Sequence, residues 1–288
     1  MNVLVTPASL DKLTTFGIGG RTDAVIVSCA GQLSKVAKQL AECGRNVTII
    51  GNGSNILASD KGYDGVVIIT KWMTGADWWI SNGKVIIKAD CGVSLRRLAK
   101  DAYERGFTGL EWAEGIPATV GGAIVGNAGA FGGYMADVVK SVRTTEGTYS
   151  NKKCGFGYRD SIFKKNFEVV LKAELQLIQG NKTEIGEKMC EYAKRRRAAQ
   201  PTNKSAGSIF KKHIDNDGNI IPAGVLIEKA GLKGVKIGGA AVSQKHANFI
   251  INENNATAHD VLALIKTVIT RVESEYGITL EPEIVYLG

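Results

Sequence analysis

Three short stretches carry side chains whose types and spacing suit chemistry. In Gly155-Phe156-Gly157-Tyr158-Arg159-Asp160-Ser161 an arginine stands among aromatic residues. A guanidinium held rigidly there would grip a carboxylate or phosphate through its planar fork of N–H donors. A structural pair between Arg159 and Asp160 is the competing reading. In Ser205-Ala206-Gly207-Ser208-Ile209-Phe210-Lys211 two small residues leave Ser208 open. There is no Gly-x-Ser-x-Gly elbow and no evident His–Asp pairing, so Ser208 is not read as a hydrolase nucleophile. It is read as a proton donor, a ligand group or a turn serine. In Leu280-Glu281-Pro282-Glu283-Ile284, alternation sets Glu281 and Glu283 on one face of an extended segment. Pro282 favours extension and an edge position, and either carboxylate also fits a solvated surface.

Two further stretches act through backbone. Gly51-Asn52-Gly53-Ser54-Asn55 follows an apolar run. N–H groups in such a turn form a nest for phosphate oxygens, with Ser54 and Asn55 as added donors. It is neither a Walker A loop nor a dinucleotide fingerprint. Gly115-Ile116-Pro117-Ala118-Thr119-Val120-Gly121-Gly122-Ala123 leads into Gly126-Asn127-Ala128-Gly129-Ala130 and Gly132-Gly133. Small residues at this density predict a trough on which a flat or extended ligand lies against backbone. Tight packing between domains is the alternative.

The elements that must position these groups follow from periodicity. Ala24 to Ser28, Val47 to Ile50 and Gly65 to Thr70 read as strands, with a helix between the first two that Gly44 closes. Val85 to Lys88, Val138 to Thr144 and Val169 to Leu177 read as further strands. Ser94 caps a helix to Arg105 that stops at Gly106. Glu184 to Ala199 is a charged helix ahead of Pro201. Ala223 to Ala230 is a short helix, and Phe249 to Asn252 a strand. Thr257 and Asp260 open a long helix with an apolar face at Val261, Leu264, Ile265, Val268 and Val272, ended by Gly277. Ile278 to Leu287 is expected as a final strand.

Composition narrows the class. The chain has 288 residues, 44% hydrophobic and 22% charged, which is ordinary for a globular protein. Thirty-five glycines are not ordinary. The net charge of +8 is pooled partly at Lys194, Arg195, Arg196, Arg197, Lys204, Lys211 and Lys212. That pool suits a solvated helix face or an anionic ligand. No nucleic-acid-binding motif accompanies it, so nucleic acid is not expected as a partner. Five cysteines without a Cys-x-x-Cys pair, and no secretory pattern in Met1 to Asp11, fit reduced thiols in a cytoplasm. No apolar run is long enough to span a bilayer. The three histidines, His213, His246 and His259, lack metal-ligand spacing, so no metal is expected.

The ordered set of motifs resembles the UDP-N-acetylenolpyruvoylglucosamine reductases of bacterial peptidoglycan synthesis. It runs from Thr14-Thr15-Phe16-Gly17-Ile18-Gly19-Gly20 through the stretches above to Ala240-Ala241-Val242-Ser243, Lys245-His246-Ala247-Asn248-Phe249 and Leu280-Glu281-Pro282-Glu283. The resemblance implies an α+β chain: a two-part FAD-binding module of the vanillyl-alcohol-oxidase type, 1–70 and 71–199, and a C-terminal α+β substrate-binding domain, 200–288. It implies FAD held by Gly51, Asn52, Gly53, Ser54, Asn55, Gly115, Ile116, Pro117, Thr119, Gly121, Gly122, Asn127, Ala128 and Gly129. NADPH is the implied reductant and UDP-N-acetylglucosamine enolpyruvate the implied substrate. Arg159, Ser208 and Glu283 are the implied catalytic residues. A cytoplasmic monomer with no membrane partner is expected. Lys211-Lys212-His213 stands where many relatives read Lys-Asn-Pro. The chain also lacks a long insertion after Tyr158-Arg159-Asp160-Ser161, as in the shorter subclass of these enzymes.

Overall fold

In the computed structural model, residues 4–166, 168–215 and 217–288 are described. The first three residues of the N-terminal stretch read above therefore lie outside the described part. Two compact units form. One consists mainly of Ala24–Asn52 and Gly65–Arg196; the other gathers Pro7–Asp23, Gly53–Asp64 and Arg197–Gly288.

The first unit holds one core on both sides of position 70, where a subdomain boundary was expected. Val25, Leu33, Ile68, Leu98, Val142, Leu175 and Met189 all belong to it. Its six-stranded sheet runs Thr148–Ser150, Val139–Thr144, Val170–Gln179, Lys84–Asp90 and Ala76–Ser81, with Phe107–Thr108 pairing onto Val170–Gln179. Alternation explains the register. Leu175 lies opposite Ile87 and Ala173 opposite Ala89, and all four side chains are buried on one face. The helix Leu95–Glu104 buries Leu95, Leu98, Ala99 and Ala102 in the same core. Ser94 Oγ accepts from Arg97 N at 3.4 Å to start it, and Gly106 at φ 77° ends it. A parallel pair, Val47–Ile50 with Val66–Ile69, stands beside the latter part of the strand Arg21–Ile26. The helix Ala30–Glu42 crosses over between Arg21–Ile26 and Val47–Ile50 and packs through Leu33 and Leu40.

The second unit has an antiparallel sheet in the order Ser205–Ser208, Phe249–Asn252, Ala240–Val242, Lys236–Ile237. The helix Ala258–Tyr276 buries Val261, Leu264, Ile265, Val268 and Val272 as its periodicity predicts. Its capping box forms: Thr257 Oγ1 accepts from Asp260 N at 3.1 Å, and Asp260 Oδ2 accepts from Thr257 N at 3.0 Å. Asp60 adds a second cap, accepting from Ala258 N at 2.7 Å and His259 N at 3.0 Å. A carboxylate there meets both orphan N–H groups and the positive end of the helix dipole. Phe16, Ile18 and Leu57 join Ala206, Ile250 and Leu264 in this core.

The C-terminal strand is shorter than its sequence predicts. Only Val285–Leu287 is a strand, parallel to Ile56–Ala58. The residues before it pair elsewhere: Lys211 N donates to Glu281 O at 2.9 Å and Glu283 N to Ile209 O at 2.7 Å. Pro282 lies opposite Phe210 between those two bonds. That is a position where its missing N–H costs the ladder nothing.

Candidate active site

In the first unit, Gly51 stands at the carboxyl end of a parallel strand, where open α/β sheets place ligands. Asn52 Nδ2 donates to Pro117 O at 3.1 Å. A Cβ on Gly51 would lie 2.2 Å from Thr119 Oγ1. Two glycine-rich stretches distant in sequence thus meet. Thr119 Oγ1 also accepts from Gly122 N at 3.4 Å and opens the helix Val120–Val125. The expected trough is therefore a short helix at its centre. Glycine is a poor helix former, and here the threonine cap and close packing compensate: a Cβ on Gly121 would come 2.8 Å from Cys91 Cβ. Gly122, in contrast, is exposed, and its missing Cβ meets only Thr119 Oγ1, at 3.6 Å. Ile116, Ala128 and Gly129 are half-buried beside it.

Packing also demands some of these glycines. Gly129 leaves no room for a Cβ against Tyr134, nor does Gly133 against Trp112. Gly115, at φ 75°, makes way for the Arg196 side chain, whose Nε donates to Glu114 O at 3.0 Å. The basic run at 194–197 is thus part structural: Arg196 turns inward while Lys194, Arg195 and Arg197 are exposed.

The Gly51 contact yields a prediction. Gly51→Ala should displace Thr119, disturb the cap on Gly122 and lower stability by about 1–3 kcal/mol, the usual cost of overpacking. A thermal melt and the flavin content of purified protein would measure it. An unchanged melt with full flavin occupancy would show that the close approach is not needed.

Arg159 sits in a turn closed by reciprocal bonds, Gly157 N to Asp160 O at 2.9 Å and Asp160 N to Gly157 O at 3.3 Å. Its φ is +53°, a conformation unusual for a side-chain-bearing residue. Its guanidinium lies 5.6 Å from the centre of the Tyr158 ring. Asp160 does not pair with it. That carboxylate meets Lys165 Nζ at 3.0 Å, and the hydrogen bond from Lys165 holds it below the usual carboxylate range. Asn127, buried and itself at φ 40°, donates from Nδ2 to Gly157 O at 2.8 Å and accepts at Oδ1 from Ala136 N at 3.0 Å.

In the second unit, Ser208 ends the strand Ser205–Ser208 just after Gly207 at φ 78°. The register shifts between Ser205 and Ser208, so a bulge re-aims the serine. It is half-buried, and its hydroxyl makes no hydrogen bond among the described residues. The pairing of Glu283 N with Ile209 O draws Glu283 to the residue next to Ser208. Glu283 is half-buried and its carbonyl accepts from Asn55 Nδ2 at 3.2 Å. Glu281 is exposed and ion-paired with Lys211, which makes it the surface carboxylate of the two. In the loop Gly53–Asn55, no backbone N–H donates to a partner among the described residues. Gly53 adopts φ 61°, and a Cβ there would strike Leu13 O at 2.2 Å.

Sequence reasoning passed over Asn248. Its amide accepts from Phe210 N at 2.9 Å and donates to Phe210 O at 2.9 Å. It serves Phe210 as a neighbouring strand would, and so fixes the segment after Ser208. The buried asparagine in Lys245-His246-Ala247-Asn248-Phe249 was the only available signal.

His246 gives a pH prediction. Burial, then Lys233, lowers its pKa from 6.5. Its Nδ1 accepts from Asn248 N at 3.2 Å, which requires that nitrogen to be unprotonated. A histidine with a depressed folded-state pKa stabilises the fold fully above its unfolded pKa, and that stability is lost as pH falls below it. Melting temperature should therefore drop more steeply below about pH 6.5 in the parent than in His246→Gln. Parallel pH profiles of the two would count against this assignment.

All five cysteines are free. Burial pushes the Cys91 thiol up to about 12 and the Cys154 thiol up to about 11. Neither is a nucleophile at neutral pH. Among the described residues no helix is long and apolar enough to cross a membrane, and no cluster of three or more metal-ligating side chains occurs.

Comparison with known proteins agrees with this layout. Residues 24–148 match the FAD binding domain family, and residues 200–287 match the UDP-N-acetylenolpyruvoylglucosamine reductase C-terminal domain family. The UDP-N-acetylenolpyruvoylglucosamine reductase of Carboxydothermus hydrogenoformans is 43% identical over 97% of this chain and 92% of its own length. That of Caldicellulosiruptor bescii is 40% identical over 97% and 89%. The crystal structure of UDP-N-acetylenolpyruvylglucosamine reductase from Thermus caldophilus superposes with a TM-score of 0.82, at 33% identity over 99% of each chain.

Proposed function

The chain belongs to the UDP-N-acetylenolpyruvoylglucosamine reductase family, and from that membership we propose how its residues divide the work. The protein is an FAD-dependent oxidoreductase that uses NADPH to reduce UDP-N-acetylglucosamine enolpyruvate to UDP-N-acetylmuramate in peptidoglycan synthesis. FAD, when bound, supplies a two-electron carrier between NADPH and the enolpyruvyl double bond.

The residues present fit such a group. Gly122 offers bare backbone at the surface, and the uncommitted N–H groups of Gly53, Ser54 and Asn55 suit phosphate oxygens. Gly51, Asn52, Gly115, Ile116, Pro117, Thr119, Gly121, Asn127, Ala128 and Gly129 complete the cofactor cradle in our reading. We assign 1–70 and 71–199 to holding FAD and 200–288 to holding the sugar nucleotide.

Reduction adds hydride to the terminal enolpyruvyl carbon and a proton to its neighbour. Between those events negative charge collects on the substrate carboxylate as an enolate. Arg159 supplies a fixed cation for that charge. Glu283 helps hold the enol through a proton of its own. Ser208 gives its hydroxyl proton to the adjacent carbon and recovers it from solvent. Serine is a weak acid, and it serves because the enolate carbon is a strong base.

The observation that carries this reading is the backbone pairing of Ile209 with Glu283, which brings Glu283 beside the residue that follows Ser208, although the two are distant in sequence. Flavin absorbance tests it. NADPH should bleach the purified yellow protein, and enolpyruvyl-UDP-GlcNAc should restore the colour. A colourless protein after FAD reconstitution, or NADPH oxidation indifferent to that substrate, would overturn it. We further place the enzyme in the cytoplasm as a monomer with no nucleic-acid partner, contributing to cell shape, the cell cycle and cell division through wall synthesis.

A further inference from the structure

We propose that Ser161 and Asn127 are positioning residues that fix the Arg159 guanidinium for substrate reduction. The proposal rests on the role given to Arg159 above. A side-chain-bearing residue in the left-handed region persists only where its surroundings over-determine it, and such positions cluster at functional sites. Arg159 at φ 53° is one, and the bonds that hold it converge on a single place.

Ser161 is fully buried, and its Oγ donates to Val125 O at 2.8 Å. Val125 is the last residue of the helix Val120–Val125. Its carbonyl is one of those that a helix end leaves unsatisfied, and Ser161 satisfies it. Asn127 lies two residues beyond, 4% exposed, with its Nδ2 on Gly157 O and its Oδ1 on Ala136 N. The residues two before and two after Arg159 are thus both fastened to one helix end. From the other side Lys164 Nζ donates to Arg159 O at 2.6 Å. The opposite end of that helix is capped by Thr119, against which Gly51 packs. One short rigid body therefore sets where Arg159 stands relative to exposed Gly122. A catalytic cation displaced by even an ångström loses much of its effect.

The test separates the two half-reactions by rapid mixing. Ser161→Ala and Asn127→Gly are the variants. Glycine keeps the left-handed backbone at position 127 and removes only the amide bonds. Full flavin absorbance and an intact circular dichroism spectrum report the fold. Each variant should slow flavin reoxidation by enolpyruvyl-UDP-GlcNAc about tenfold to a hundredfold. In Ser161→Ala reduction by NADPH stays within about threefold, while Asn127→Gly, which also touches the cofactor cradle, slows reoxidation more than reduction. The double variant Arg159→Ala/Ser161→Ala should be no slower than Arg159→Ala alone, because Ser161 acts through Arg159.

Equal slowing of both half-reactions would overturn the proposal and leave a general structural role. So would a double variant slower by the whole Ser161→Ala factor. If Arg159→Ala is slow while Ser161→Ala matches the parent, positioning fails and the role of Arg159 stands. If Arg159→Ala itself keeps the parental rate, the role of Arg159 fails and this proposal falls with it.

Discussion

Ser208→Ala protein mixed with NADPH should lose its yellow colour at close to the parental rate and then stay bleached when enolpyruvyl-UDP-GlcNAc is added. Reoxidation should slow by about 10²–10⁴-fold, the range typical for loss of a positioned proton donor. The expectation comes from the bulge. Gly207 at φ 78° and the register shift between Ser205 and Ser208 re-aim Ser208, which rejoins the ladder opposite Phe249, and leave a half-buried hydroxyl with no partner among the described residues. Its proton is therefore uncommitted. Alanine keeps the backbone and removes only the hydroxyl that carries that proton. A water molecule in the vacated space would sustain a residual rate, and Ser208→Cys should recover part of the loss. Equal slowing of both half-reactions would remove Ser208 from the proton transfer and make it a structural residue.

Arg159→Ala should slow substrate reduction by about 10²–10³-fold, the usual cost of losing one preorganised donor at a developing anion. Arg159→Lys should recover only part of it. Lysine keeps the charge but presents a point ammonium instead of a planar fork, on a more flexible stem. The neighbourhood also favours the guanidinium, which lies over the Tyr158 ring. Single-turnover reoxidation at saturating substrate is the measurement. A near-parental rate for the lysine variant would show that the fork is dispensable, and one for the alanine variant would exclude Arg159 altogether.

The sequence carried the helices and their ends best. Ser94, Thr257 with Asp260, Gly44, Gly106 and Gly277 each do in the structure what their types dictate. Those signals are local, between residues three or four apart, so one stretch of chain contains them. Two readings needed contacts the sequence does not show. The helix Val120–Val125 lies in a run whose composition argues against helix, and Thr119 with the packing on Cys91 overrides propensity. The segment Ile278 to Leu287 alternates like one strand, yet it changes partners at Pro282, because two different segments of the same unit meet it. Among the residues proposed for catalysis, the types of Arg159, Ser208 and Glu283 drew attention, and their motifs tied them to a family. The fasteners did not stand out. Ser161, Asn127 and Asn248 act through backbone groups of distant residues, and a buried amide or hydroxyl in a sequence looks like any other.

The threading of the second unit has a consequence for biosynthesis. Its core needs Phe16, Ile18 and Leu57, made early, and Leu264 and Leu280, made late. Val285–Leu287, the final strand, pairs with Ile56–Ala58. A ribosome delivers the chain from the N-terminus, so this unit cannot close until the residues through Leu287 have emerged. The segments 7–23 and 53–64 must wait, their apolar side chains open to solvent, while more than half of the polypeptide is still being made. Contacts of such wide sequence separation fold slowly, and exposed apolar surface invites chaperones. For the same reason an isolated 200–288 fragment would emerge without part of its own interior, and should be recovered as an aggregate rather than as a domain.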